Sequence, residues 1–242
     1  MQYITETLKR HKMHMTLIDP AKQSPEAASS LAARAAKAGT DAIMVGGSTG
    51  VTQKNLDETV DAIKGACKLP VIYFPSGANA IARRSDAIYF MSMLNSRNVR
   101  NVSGEHWKAA PVIKMLGIEP ISMGYIVVEP GMKVGEVGEA DVVSRSDVSR
   151  AVGYAAATEM FGMDLVYLEA GSGAPEPVPL KMISEVKKGL TIPLIVGGGV
   201  SDPDKAEAVA KSGADIVVTG TLVENGDYAG KLAAVVERVH RS

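Results

Sequence analysis

Apolar positions along this chain follow two patterns that alternate from one end to the other. Short runs rich in valine, isoleucine and methionine have the composition of buried parallel strands, and longer segments repeat apolar residues every three or four positions, as amphipathic helices do. The short runs predict strands over residues 13–18, 41–45, 70–74, 87–91, 120–128, 165–168, 192–196 and 215–218. The longer segments predict helices over residues 25–38, 54–67, 105–116, 146–161, 178–188, 202–212 and 228–239.

Eight strands that alternate with helices predict an α/β fold, and their number favours a closed (βα)8 TIM-type barrel. Only residues 75–86 separate the third strand from the fourth, which predicts that the helix of this unit is degenerate or missing. A doubly wound open sheet is the alternative, although the early Gly-x-Gly-x-x-Gly motif of dinucleotide binding is absent. No linker divides the chain, so we expect a single barrel domain over residues 1–242.

The composition argues against several classes of function. The 242 residues carry a formal net charge of −1, which provides no basic surface for nucleic acid. Cys67 is the only cysteine, so no internal disulfide can form and a cytoplasmic location is expected. No apolar stretch is long enough to cross a bilayer, which leaves peripheral contact with a membrane surface open.

Two glycine-bearing loops near the C-terminus follow predicted strands. Gly198 and Gly199 lie after the seventh strand, and Gly220 and Thr221 lie after the eighth. Glycine lets backbone N–H groups approach a small anion, and in eight-stranded barrels these two loops often form a phosphate site. The sequence therefore predicts a barrel that binds a phosphorylated small molecule.

Asp19 and Ser48 are candidate metal ligands, because they follow the first and second strands. Active sites of such barrels lie at the C-terminal ends of the strands, where a carboxylate beside a phosphate suits Mg²⁺. The alternative is structural: Asp19 would cap the turn before Pro20, and the glycines beside Ser48 would form a tight turn.

Tyr167 and Glu169 are the candidate catalytic pair. They stand two residues apart at the end of the sixth strand, so their side chains face the same way, and the glycine-rich residues 170–173 follow. A carboxylate beside a phenol can bind and deprotonate a hydroxyl group. The alternative for Glu169 is a lysine ion pair or a helix cap, because a buried carboxylate needs a partner.

Three further features leave their roles open. Arg97 and Arg100, after the fourth strand, either meet a second phosphate group or lie in a solvated loop. The methionines either line a groove for an apolar substrate or fill the core. Trp107, the only tryptophan, either anchors a partner subunit or packs inside the monomer.

Several short sequences, spread over most of the chain, occur together in one known family. They are LIDP at 17–20, VGGS at 45–48, GYIVVEPG at 124–131, YLEAGSG at 167–173 and the two C-terminal glycine loops. In this order and combination the chain resembles the geranylgeranylglyceryl phosphate synthases, which are archaeal lipid prenyltransferases, and their bacterial heptaprenylglyceryl relatives.

The resemblance implies attack of the 3-hydroxyl of sn-glycerol 1-phosphate on the first carbon of a polyprenyl diphosphate, geranylgeranyl diphosphate in the archaeal branch, with release of diphosphate. It implies that Asp19 and Ser48 bind Mg²⁺, and that the protein forms dimers or hexamers. The residues that it implies for glycerol phosphate binding are Tyr167, Leu168, Glu169, Ala170, Gly171, Ser172, Gly173, Gly198, Gly199, Gly220 and Thr221.

One position departs from the bacterial branch, which has a lysine just before the metal-binding aspartate. Leu17 and Ile18 stand there in this chain, which favours the archaeal type. Two other functions stay open from the residues alone. One is another phosphosugar-binding isomerase or lyase, and the other is a barrel that binds a phosphorylated ligand without catalysis.

Overall fold

Eight parallel strands close into a barrel in the computed structural model, which describes residues 1–220 and 229–242. Neighbouring strands pair in chain order, and pairing of Met13 with Ile216 closes the ring. The closed barrel is therefore confirmed, and the open-sheet alternative is wrong. The strands are β1 (Met13–Ile18), β2 (Ala42–Val45), β3 (Val71–Tyr73), β4 (Ala87–Met93), β5 (Glu119–Val127), β6 (Leu165–Glu169), β7 (Leu194–Gly197) and β8 (Ile216–Thr219).

Helices pack around the barrel and begin or end at residues that the sequence marks as caps. Ser24 accepts the backbone N–H of Ala27 where the first long helix begins, and Gly39 ends that helix with a φ of 93°. Within the described ranges no helix is both long and apolar enough to span a membrane. The helices are α1 (Gln2–Leu8), α2 (Pro25–Ala38), α3 (Gln53–Ala66), α4 (His106–Leu116), α5 (Met132–Val137), α6 (Val148–Met160), α7 (Leu180–Lys188), α8 (Pro203–Lys211) and α9 (Ala229–His240), with a π-helical turn at Arg100–Gly104.

The unit between β3 and β4 lacks its helix, as its short sequence predicts. Residues 74–86 form a loop that hydrogen bonds hold in place. The side chain of Gln53 exchanges two hydrogen bonds with the backbone of Ile81, and the carboxylate of Glu105 accepts the N–H of Ala78 at 2.7 Å. This loop therefore lies directly beside the start of α4.

Alternation along the strands divides the apolar residues between two cores. Met15 and Met44 point into the barrel, whereas Ile43 and Val45 point outwards and pack among the residues of the helices. Burial on both faces explains why the strands appear in the sequence as nearly continuous apolar runs.

Every second strand is preceded by an aspartate that binds the strand before it. In each case the carboxylate accepts a backbone N–H of the earlier strand at 2.7–2.9 Å. These strand-start aspartates fix the N-terminal end of the barrel. The four pairs are Asp41 with His14, Asp86 with Val71, Asp164 with Ser122, and Asp215 with Leu194.

Candidate active site

A cavity of about 290 Å³ opens at the C-terminal ends of the strands, the end of the barrel at which the sequence predicts the site. Residues at or near the C-terminal ends of seven strands line it, and they lie up to about two hundred positions apart in the chain. The predicted site residues among them are Asp19, Ser48, Glu169, Ser172 and Gly220.

Glu169 projects into the barrel interior and is only 6% exposed. Its Oε1 accepts the backbone N–H of Gly171 at 2.6 Å, and its Oε2 accepts the hydroxyl of Tyr125 at 3.2 Å. Donors on both oxygens reduce the cost of burying the carboxylate and fix its orientation toward the cavity.

Burial dominates the titration of this carboxyl group. Burial raises the pKa of Glu169, and hydrogen bonds from Gly171, Tyr125 and Tyr167 offset only part of the effect. Burial and the charge of Glu169 hold the pKa values of both phenols well above their ordinary value, so the phenols stay protonated and act as donors. The arrangement therefore provides a carboxylate that is more basic than one in water.

Tyr167 lies below Glu169 in an aromatic layer of the barrel interior. Its ring centroid is 5.0 Å from that of Tyr125, and the ring stacks on Phe74 at 5.7 Å. Tyr167 is 1% exposed and does not line the cavity, whereas Tyr125 and Phe74 do. The structure thus places Tyr167 in the barrel interior, on the side of Glu169 that faces away from the cavity, where it supports the carboxylate.

Gly198 brings the loop after β7 directly against Glu169. Its φ is 82°, and a Cβ atom there would lie 2.5 Å from Oε1 of Glu169 and 2.6 Å from the nitrogen of Gly171. Only glycine fits this position, because a side chain would be strained by the backbone and would displace the carboxylate. Gly199 packs in turn on the backbone of Glu176.

The remaining predicted glycerol phosphate residues divide by position. The side chains of Leu168 and Ala170 pack in the outer core, so only their backbone can face a ligand. Gly171 and Gly173 have φ values of 99° and 78° in the loop that follows β6. Thr221 lies outside the described residues.

Asp19 and Ser48 come from neighbouring strands and line the cavity together. Oδ1 of Asp19 accepts the backbone N–H of Ala21 at 2.9 Å, so the predicted turn-capping role is present as well. A Cβ at position 47 would overlap both carboxylate oxygens, and Gly47 thus leaves the space that they occupy. Carboxylate and hydroxyl oxygens are donors that Mg²⁺ prefers, so this pair suits the cation.

An apolar arm of the cavity extends between the β3–β4 loop and α4, where the missing helix leaves room. We use "apolar arm" for Phe74, Ile81, Phe90, Ala109 and Ile113. Of the methionines that the sequence offered for a groove, Met91 and Met93 line the cavity, whereas Met123 fills the barrel core and Met115 is 77% exposed.

The two arginines of the segment after β4 are engaged elsewhere. Arg97 pairs with Asp141 at 2.8 Å, Arg100 pairs with Glu105 at 2.6 Å, and neither arginine lines the cavity. Sequence reasoning missed Tyr125 as a partner of Glu169. The signal was present, because Tyr125 shares the inward face of β5 with Met123.

Comparison with known proteins assigns the family. Residues 5–239 match the PcrB family. The geranylgeranylglyceryl phosphate synthase of Thermococcus kodakarensis is 48% identical over 99% of this chain and 95% of its own, and that of Pyrococcus horikoshii is 52% identical over 92% and 88%. The synthase of Thermoplasma acidophilum, solved in complex with sn-glycerol-1-phosphate, superposes with a TM-score of 0.96 at 44% identity, over 99% of this chain and 97% of its own. The chain therefore belongs to the PcrB family, alongside the geranylgeranylglyceryl phosphate synthases.

Proposed function

We propose that this protein joins sn-glycerol 1-phosphate to geranylgeranyl diphosphate, forming an ether bond at the 3-hydroxyl and releasing diphosphate. The synthases that it resembles at 48–52% identity support the reaction. The observation that carries the proposal is the meeting of buried Glu169 with Asp19, Ser48 and Gly220 at one cavity that has an apolar arm. Such a cavity suits one small anionic substrate and one long apolar substrate.

The glycine loops would hold the phosphate of sn-glycerol 1-phosphate. Gly220 lines the cavity, and Gly198 packs against Glu169, so one loop adjoins the cavity and the other adjoins its carboxylate. Backbone N–H groups without side chains let an anion approach closely. Ser172, beside the same cavity, adds a hydroxyl. Thr221 is assigned to this set on the family resemblance alone.

Glu169 would orient the 3-hydroxyl and accept its proton as the new C–O bond forms. Gly171, Tyr125 and Tyr167 use three of the roughly four acceptor positions of the carboxylate, which leaves one for the substrate hydroxyl. The raised pKa of Glu169 makes it a better proton acceptor than an exposed carboxylate. Tyr125 and Tyr167 keep it in place during the transfer.

Asp19 and Ser48 would bind Mg²⁺ through a carboxylate and a hydroxyl oxygen. When bound, this cation neutralises the charge that develops on the departing diphosphate. The apolar arm would hold the prenyl chain, and its side chains would keep water away from the reacting carbon.

Transfer of label into an organic phase tests the reaction. The purified protein is incubated with Mg²⁺, geranylgeranyl diphosphate and radiolabelled sn-glycerol 1-phosphate, and we expect extractable label together with an equal amount of diphosphate. The enantiomer, sn-glycerol 3-phosphate, serves as the control and should give much less product. Binding of sn-glycerol 1-phosphate without any extractable label would contradict the proposal and support a non-catalytic barrel.

A further inference from the structure

A cluster of two histidines and one aspartate lies at the end of the barrel opposite Glu169. Oδ1 of Asp41 lies 2.9 Å from Nε2 of His11, and Oδ2 of Asp41 lies 2.9 Å from Nε2 of His240. The two imidazole rings are 4.1 Å apart between centroids, and the possible ligand atoms all lie within 4.8 Å of one another.

The cluster joins three segments that are far apart in the chain. His11 lies between α1 and β1, Asp41 precedes β2, and His240 is the last residue of α9. The Asp41 side chain is 9% exposed, and each histidine side chain is 26% exposed. A small ion can therefore enter, while three protein ligands would surround most of it.

The histidines are not needed for the structural role of Asp41. Each strand-start aspartate accepts a backbone N–H, and Asp41 does so from His14 at 2.8 Å. Asp86 and Asp215 have a lysine as their second partner, and Asp164 has a serine hydroxyl. Among these four, only Asp41 has imidazole groups on both oxygens, so its donor set needs a separate explanation.

We propose that His11, Asp41 and His240 bind a divalent transition metal, with Zn²⁺ as the best match, and leave a fourth position for water. Two imidazole nitrogens and a carboxylate oxygen are common zinc ligands. Bond lengths of about 2.0–2.2 Å in a tetrahedral site separate ligand atoms by about 3.4 Å. The two Nε2 atoms lie 2.9 Å from different oxygens of Asp41, and all the possible ligand atoms lie within 4.8 Å of one another. Displacements of about an ångström would therefore bring them to this spacing as the metal replaces the protons of the two hydrogen bonds.

Such a metal would connect the segment after α1 and the end of α9 to the N-terminal end of the barrel strands. It would act on stability rather than on the reaction, because the cluster lies at the N-terminal end of the strands, whereas Glu169 and Asp19 follow their C-terminal ends. The proposed catalytic function does not depend on it.

Metal titration of the untagged, metal-free full-length protein tests this site. We expect one Zn²⁺ per chain by calorimetry, one Co²⁺ with visible absorption bands of low-symmetry coordination, and a Tm increase of about 5–10 °C at a hundredfold excess of Zn²⁺ over its Kd. Excess Mg²⁺, which the proposed site at Asp19 and Ser48 would bind, should leave both the Co²⁺ bands and the Zn²⁺ stoichiometry of this cluster unchanged.

The double variant His11→Gln/His240→Gln keeps amide donors for Asp41 and should lose the metal signal while circular dichroism shows a folded protein. His106→Gln removes a histidine outside the cluster and is the matched control, which should bind Zn²⁺ as the unmodified chain does. The proposal is overturned if the unmodified chain shows no Zn²⁺ binding at micromolar concentration, or if the double variant binds as tightly as the control.

Discussion

Glu169 combines burial with hydrogen bonds on both oxygens, and the proposed chemistry depends on that single side chain. Glu169→Gln keeps the shape and can still accept from Gly171, but it cannot take a proton. We expect kcat to fall about 10²–10⁴-fold, while the Kd for sn-glycerol 1-phosphate changes little because the glycine loops are intact. Glu176→Gln, at an exposed ion pair with Lys205, is the control and should keep full activity. An unchanged kcat in Glu169→Gln would remove the base assignment.

The raised pKa of Glu169 also predicts a pH dependence. Because burial raises the pKa of this carboxyl above its ordinary value of 4.5, its protonated form persists to higher pH. We expect kcat to rise as pH increases through the raised pKa of Glu169, because only the ionised carboxylate can accept a proton. The favourable contribution of the protonated group to stability should be fully present below pH 4.5 and lost as pH rises through the raised pKa.

Rate profiles and urea unfolding between pH 4 and 9 measure both effects. In the Glu169→Gln variant, the remaining kcat should no longer rise with pH in the acidic range. The corresponding pH-dependent change in the free energy of unfolding should also be absent. A rise that persists unchanged in this variant would assign it to another group.

Gly47 tests the metal role of Asp19 without changing a ligand. Gly47→Ala places a methyl group onto the Asp19 carboxylate, so we expect its displacement, a raised Mg²⁺ requirement and at least a tenfold loss of kcat/KM. Gly65→Ala in α3 has open space around the new methyl group and should leave activity unchanged. Equal Mg²⁺ dependence of the two variants would contradict the assignment.

At the scale of elements, the strand-start aspartates explain how short strands keep their register. Asp164 accepts both the backbone N–H and the hydroxyl of Ser122, at 2.9 and 2.7 Å. Asp164→Ala leaves the backbone donor of β5 without its carboxylate partner, and we expect a loss of about 1–3 kcal/mol in the free energy of unfolding. Urea denaturation followed by circular dichroism measures this loss.

The matched control for this prediction is an exposed ion pair. Asp61→Ala removes the pair with Arg84, whose side chain is 64% exposed, and should cost at most about 1 kcal/mol. Equal costs for Asp164→Ala and Asp61→Ala would show that the strand-start aspartates do not support the barrel.

Long helices were predictable from sequence, and short helices were not. The predicted helix over 25–38 matches α2 as observed. The structure adds α1, α5 and the π-helical turn Arg100–Gly104, none of which was predicted. These segments span only five to seven residues each, which is too short for a helical period to emerge from the sequence.

At the scale of the whole molecule, self-association stays a prediction from the family resemblance. Trp107 and Met115 on α4 are 71% and 77% exposed, so the packing of Trp107 inside the monomer is wrong. Exposed aromatic and apolar side chains of this size often mark subunit contacts. We expect light scattering to give a mass of two or six times 25.4 kDa, lowered by Trp107→Ala if α4 forms the contact. A mass of 25.4 kDa for the unmodified chain would contradict the prediction.

The site was predictable as far as its pieces follow strand ends. Asp19, Ser48, Glu169 and Gly220 were found because the C-terminal ends of barrel strands meet at one face, so chain position alone implies their proximity. The role of Tyr125 was not found, and an apolar groove was predicted from methionines rather than from the side chains of the apolar arm. Both depend on contacts between elements: Tyr125 reaches from β5 to Glu169, and the arm forms where the β3–β4 loop meets α4.

The sequence by itself determined the strand and helix order, the missing helix after β3 and the glycine loops, because each of these is written in residues that are neighbours in the chain. The tertiary structure alone decided what surrounds Glu169, where the arginines of the β4 segment pair, and how His11 and His240 meet Asp41. Those contacts join residues up to 199 positions apart, and their geometry depends on the closure and register of the barrel, which local periodicity does not specify.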